Sequence, residues 1–360
     1  MKIPIAKPRL SEKTLEKVKS VLESGMWIDS SNVKKLEDAF ARYLGVKYAR
    51  AVSNGTAALM VAVNSLNIGL GDEVIVPSFS FAATANCVLF QGAKPIFTDI
   101  DPMTFNIDPR SVKKNLSNKT KAIIPVHLYG LPAPMDELSD LAHDRIWIIE
   151  DACQAHGAEY NGQKVGSIGT IGVFSLYPTK NMVCGGEGGL IVTNNEEIFE
   201  RIQLFVNHGQ DRKYHHVVLG YNFRMSEVNA VIALDSLKTL DSFNDKRIAN
   251  AESYSRELSD VTYLDLPVTP NGCKHVFHQY TIKSKIRDQI IKTFEETGIG
   301  FGIHYPLPIH LQPFYRATHG DIHLKNAETV AKHAISIPVR PDLTGEEKRK
   351  IISVLRGLGG

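Results

Sequence analysis

The chain has 360 residues, 43% of them hydrophobic and 22% charged, with a formal net charge of only +2. That is ample for a packed core and, by length, for two domains, while the charge balance gives no support to a nucleic-acid or membrane-surface protein. No stretch approaches the roughly 18 apolar residues of a membrane helix, and MKIPIAKPRL lacks a long apolar signal region, so a cytoplasmic protein is expected. Cys87, Cys153, Cys184 and Cys273 lie far apart with no C-x-x-C pair, which argues against a disulfide framework or a zinc site.

In chain order, Leu15, Val18 and Leu22 behind Ser11, and then Val33, Leu36, Phe40 and Tyr43, have helical spacing, so amphipathic helices are expected over residues 11–22 and 33–44. Trp27 between them reads either as core or interface filler or as a ligand-facing residue. The run Ala51-Val52-Ser53-Asn54-Gly55-Thr56 reads as a short strand turning into a helix. Such a start offers free backbone N–H groups and the positive dipole end to a phosphate, though it equally makes an ordinary capped helix. Strands over 74–76, 95–99, 122–126 and 147–149 then alternate with helices over 82–90, 109–115 and 135–143. That α/β rhythm implies a mainly parallel sheet covered on both faces, with ligands at the carboxyl ends of its strands. His127, Asp151 and Lys180 sit at or just past strand ends. No G-x-G-x-x-G follows a strand and no P-loop is present, so neither nucleotide motif has local support.

The stretch from Trp147 to Asn194 organises the rest. Its first apolar run ends in Glu150 and Asp151; a second, 171–176, leads to Ser175, Tyr177, Thr179 and Lys180; a turn of Gly185, Gly186, Glu187, Gly188 and Gly189 precedes a third run. One lysine thus sits in a tight turn between two buried strands. Lys180 offers an amine for a Schiff base, Asp151 a carboxylate to keep a pyridine nitrogen protonated, and Ser175 a hydroxyl for a phosphate, the three needs of pyridoxal phosphate. Each alone also reads as a surface lysine or a turn-capping polar residue; it is the combination that points to the cofactor. Beside it, Gly55 and Thr56 become phosphate ligands.

After a helix over 198–206, the polar segment 207–223 carries His208, Arg212, His215 and His216 without the carboxylate or cysteine spacing of a metal site, and is expected as a mobile loop crossing to a partner subunit. A helix over 226–240 closes a first domain, 1–240. Helices over 245–258, 287–297 and 345–355 and strands over 261–264 and 277–282 then suggest a smaller α+β domain, 241–360. Within it His304 and Tyr305 are tips of an extended segment, readable as packing or as ligand-facing residues.

EDACQAHGA, FSLYPTKN and GGEGGLIVTN, with SNGTAAL, VPSFSFAATAN, PVHLYG and LGYNFRMSEVNA, resemble, over nearly the whole chain and in order, the signatures of the DegT/DnrJ family of pyridoxal-phosphate sugar aminotransferases, of aspartate-aminotransferase fold type I. Met182-Val183-Cys184 departs from the stretch common after the lysine and bears on substrate contacts only. The resemblance implies a large cofactor-binding domain with a mainly parallel sheet between helices, a smaller C-terminal α+β domain, and a catalytic pair of Lys180 and Asp151. It further implies Phe81 on the cofactor's face, Gln154 near its phenolic oxygen, Trp27, His304 and Tyr305 near the substrate, and Asn222 reaching into the neighbouring site of a homodimer. The cofactor would cycle through pyridoxamine phosphate, with an amino acid such as glutamate as donor and a nucleotide-linked keto sugar as acceptor. The turn at 185–189 resembles members that aminate carbon 4, whereas residues 304–313 resemble members acting at carbon 3. A 4-keto-6-deoxy sugar is the expected acceptor, because the glycine turn is expected nearer the reacting carbon; a 3-keto sugar or an amino-cyclitol is the alternative. A non-catalytic regulator would leave the lysine, aspartate and serine set without a use, and Lys180 itself argues against the dehydratase members that carry histidine there.

Overall fold

Seven short apolar runs pair into one sheet: β1 (Tyr48–Val52), β2 (Glu73–Pro77), β3 (Lys94–Thr98), β4 (Thr120–Ile123), β5 (Trp147–Asp151), β6 (Ile171–Ser175) and β7 (Gly189–Thr193). The computed structural model describes the backbone of residues 2–358 and, Asp144 apart, their side chains. Across the sheet the order is β1-β7-β6-β5-β4-β2-β3. The sheet is parallel from β3 to β6, and β7 runs antiparallel to both of its neighbours, β1 and β6. This is the mainly parallel α/β architecture that the sequence rhythm implies.

Strand alternation explains why near-continuous apolar runs are needed. Val74, Val76, Ala122, Ile149, Val173 and Ile191 pack on one face beneath the helix Gly55–Ser65. Their neighbours turn the other way: Ile75, Ile123 and Ile148 meet Val112, Met135 and Leu138, while Phe174, Leu190 and Val192 meet Leu36 and Phe40. The two N-terminal helices form as Glu12–Ser24 and Ser31–Leu44, and those over Pro109–Asn115 and Arg287–Thr297 have the expected limits.

Three local expectations are corrected. The helices expected over 226–240 and 245–258 are one 31-residue helix, Glu227–Glu257, in which no glycine or proline interrupts the hydrogen-bond ladder. Its Ala230, Ala233 and Leu240 belong to the core under the sheet, and its Ala251 and Tyr254 to a second core with Tyr280, Phe294 and Ile351. Residues 261–264 form turns rather than a strand; Tyr280–Lys283 pairs instead with Ala334–Ile337. The polar stretch 207–223 holds a small two-stranded ladder, Gln210–Arg212 against His215–His216. Ile3 joins the second core, its backbone bonded to Gly298 and Gly300 at 2.8 and 2.7 Å. Among the described residues no helix is long and apolar enough to cross a membrane.

Candidate active site

β5 ends in two acids, and strand alternation sends them to opposite sides. Glu150, fully buried, accepts hydrogen bonds from the backbone N–H groups of Gly166, Ile168 and Gly169 at 2.7, 2.7 and 2.6 Å. Its fourth donor is His127 Nε2 at 2.9 Å; because His127 Nδ1 accepts from the Ala133 N–H, the ring's one proton lies on Nε2. Asp151 faces a cleft instead. Its Oδ2 accepts from Thr84 Oγ1 at 2.9 Å and its Oδ1 from the Cys153 N–H at 3.2 Å.

Gly55 opens the helix Gly55–Ser65 behind Asn54, whose side chain takes the Ala57 N–H. The helix start presses against the end of β6 too closely for any side chain at position 55, so Gly55 and Thr56 stand with Ser175 at the cleft wall. First-turn N–H groups have no partner within a helix, which suits that wall to an anion.

Lys180 follows in the turn after β6, where its N–H donates to the Tyr177 carbonyl at 2.8 Å. The side chain reaches back into the cleft. Burial pushes its pKa down, and the neighbouring Cys153 and Asp151 oppose that shift.

One cleft of about 1010 Å³ gathers nine of the expected residues: Gly55, Thr56, Phe81, Asp151, Gln154, Ser175, Lys180, His304 and Tyr305. Phe81 is exposed there, whereas Gln154 is buried: its Oε1 accepts from the Tyr129 N–H at 2.9 Å and its Nε2 donates to the Tyr305 hydroxyl at 2.7 Å. Trp27 and Asn222 are not brought into the cleft of their own chain. Trp27 is exposed, its indole N–H donating to the Leu22 carbonyl at 3.1 Å, and Asn222 is exposed with its Oδ1 accepting from Arg224 Nε at 3.1 Å.

Sequence reasoning misses Thr84, Tyr129, Cys153, His278 and Gln279, which also line the cleft. A signal existed for Thr84, since Ser80 and Thr84 share one side of a helical turn, and for Cys153, two residues beyond Asp151; Tyr129, His278 and Gln279 arrive by tertiary folding alone. Tyr129 and Tyr305 hold left-handed backbone, φ 57° and 58°, which side chains adopt only where their surroundings impose it.

The donor set fits pyridoxal phosphate: a desolvated amine, a buried carboxylate, an exposed aromatic ring and a glycine-led helix start, with Lys180 the one cation among the described residues lining the cleft. A mainly parallel sheet presenting that set at its strand ends defines a pyridoxal-phosphate-dependent aminotransferase of fold type I. The chain belongs to the DegT/DnrJ/EryC1/StrS aminotransferase family, whose sequence model matches residues 8–356. It is 42% identical over 349 residues, 96% of this chain and 94% of the relative, to the pleiotropic regulatory protein of Geobacillus stearothermophilus. It is 40% identical over 348 residues, again 96% and 94%, to UDP-N-acetyl-3-dehydro-alpha-D-glucosamine 3-aminotransferase of Acidithiobacillus ferrooxidans. NtdA from Bacillus subtilis, solved with bound cofactor PMP, has a TM-score of 0.90 and 31% identity over 97% of this chain and 82% of its own.

Proposed function

We propose that this aminotransferase moves an amino group from an amino acid, glutamate first among them, to carbon 3 of a nucleotide-linked keto sugar. The observation that carries this reading is what the glycines of the 185–189 turn pack against. A Cβ on Gly185 would meet Ile232 at 2.5 Å, one on Gly188 the Cys184 sulfur at 2.5 Å, and one on Gly189 the Asn54 carbonyl at 2.6 Å. The turn is glycine-rich because it is squeezed between the long helix and the start of the helix Gly55–Ser65, and of its residues Glu187 alone is among those lining the cleft. Its weight in favour of carbon 4 falls away. His304 and Tyr305, from the stretch resembling carbon-3 members, do line the cleft, and the Acidithiobacillus relative is named for amination at that carbon. A purely regulatory role, as the Geobacillus name suggests, gives no account of a desolvated lysine facing a buried aspartate.

Pyridoxal phosphate, when bound, supplies the electron sink and carries the amino group between the two substrates. In this reading Gly55, Thr56 and Ser175 receive its phosphate, Phe81 covers its ring, and Gln154 stands by its ring oxygen. Asp151 faces the ring nitrogen and keeps it protonated. Lys180 would hold the cofactor through its Nζ, and the same Nζ, its pKa lowered by burial, would move the proton at the donor's α-carbon. His304 and Tyr305 stand against the sugar, and Asn222 completes the site of a partner subunit.

The test offers the enzyme glutamate with matched 3-keto and 4-keto nucleotide sugars and locates the new C–N bond by NMR. Amination at carbon 3 is expected. Amination at carbon 4 alone would overturn the choice of carbon, and turnover of neither sugar but of a keto-cyclitol would overturn the nucleotide-sugar reading.

A further inference from the structure

Asp151 is 4% exposed, and a carboxylate so buried keeps its charge only where donors fill its lone pairs. Cys153 N–H fills one on Oδ1 and Thr84 Oγ1 one on Oδ2, at 3.2 and 2.9 Å. Thr84 has a single hydroxyl proton, and that proton is committed to the carboxylate. The 3.1 Å contact between Thr84 Oγ1 and Ser80 Oγ is therefore made with Ser80 as the donor. A directed chain results, from Ser80 to Thr84 to Asp151. Thr84 is 1% and Ser80 4% exposed, so bulk water does not replace either hydroxyl. Phe81, between them in sequence, is exposed at the cleft. One short stretch thus turns an aromatic ring to the cleft, one hydroxyl to the acid and a second hydroxyl to the first.

We propose that Thr84 and Ser80 are positioning residues for transamination: they hold the Asp151 carboxylate in one rotamer, with its remaining lone pairs open to the cleft before a ring nitrogen arrives. The proposal rests on the reading of Asp151 as the partner of that nitrogen. The hydroxyl on Oδ2 makes a charge-assisted hydrogen bond, and the Ser80 proton polarises the Thr84 hydroxyl so that the bond strengthens. Because the chain is already formed, nothing need reorganise when charge moves onto the cofactor ring. Asp151 alone, without Thr84, would meet its buried surroundings with one donor fewer and nothing to fix Oδ2.

Holoenzymes carrying Thr84→Val, Thr84→Ser, Ser80→Ala and Asp151→Asn are compared in kcat and in the low-field proton NMR resonance of the cofactor's ring N–H. Thr84→Val is expected to lower kcat about tenfold, with the KM for the sugar unchanged, and to move the resonance. Thr84→Ser restores both, and Ser80→Ala moves the resonance by less in the same direction. Asp151→Asn removes it. A wild-type resonance and kcat in Thr84→Val overturn the positioning role while Asp151 keeps its own, provided Asp151→Asn lacks the signal. A resonance that persists in Asp151→Asn overturns the reading of Asp151 itself. Should Thr84→Val not fold, Ser80→Ala decides: an unmoved resonance in that variant overturns the chain.

Discussion

Gly55 and Ser175 stand closer than any side chain at position 55 would allow: a Cβ built on Gly55 falls 2.8 Å from Ser175 Cβ and 3.2 Å from Cys153 Sγ. Both neighbours are anchored at the ends of sheet strands and cannot yield independently. Gly55→Ala is therefore expected to push the helix start off β6, costing about 1–3 kcal/mol of stability and roughly tenfold in cofactor affinity. Urea unfolding of the apoprotein and a fluorescence titration with pyridoxal phosphate measure the two losses separately.

Glu150 is the structural counterpart of Asp151. Glu150→Gln keeps the shape but aims an NH2 group at donors, leaving either the Ile168 and Gly169 N–H groups or the Gly166 N–H and His127 without an acceptor. The expected loss is about 2–4 kcal/mol of stability, measured by urea unfolding, with the site's cofactor chemistry retained in the fraction that folds.

Acid sensitivity follows from buried histidines. His156 is fully buried with neither ring nitrogen bonded; burial first, and then the Lys180 charge, push its pKa down to about 3. The same causes take His304 down to about 4. Below the ordinary value of 6.5 the unfolded chain binds protons that the folded chain refuses. Stability contributed by these groups is thus complete above 6.5 and drains as the pH falls towards 4, by about 1.4 kcal/mol per pH unit for each histidine. Urea midpoints taken at about pH 7 and about pH 5 check the slope, which becomes shallower in His156→Asn.

Asn222 lies outside its own cleft, and the proposal that it serves a partner's site is tested by mixing chains. Lys180→Ala and Asn222→Ala chains are each expected to be inactive alone. Random exchange makes half of the dimers mixed, each with one intact site of its two, restoring about a quarter of wild-type activity. No recovery despite subunit exchange shown by mass spectrometry would refute the sharing.

The strand ends are legible in sequence because a run such as Val74-Ile75-Val76, set off by turn residues, has few alternatives to a strand buried on both faces. Asp151 and Lys180 then follow from the rule that ligands collect where such strands finish. Thr84 is not legible in the same way: its bond to Asp151 spans 67 residues and depends on how two crossovers stack. His278 and Gln279 come from beyond the long helix, where no local pattern marks them as facing the cleft. The change in composition near residue 241 reads as a break between elements, yet it records only a change in what one helix touches, as Leu240 gives way to Ala251 and Tyr254. The glycines at 185–189 admit two readings for a related reason, since tight packing and ligand approach select the same residue.

That uninterrupted helix, 31 residues and so about 46 Å long, acts mechanically as a beam clamped at both ends. With one half embedded under the sheet and the other in the C-terminal core, the two bodies cannot swing apart without flexing it or tearing out Leu240 or Tyr254, both fully buried. Stiffness of this kind holds the strand ends that carry Asp151 and the turn that carries Lys180 at a fixed place relative to the C-terminal core.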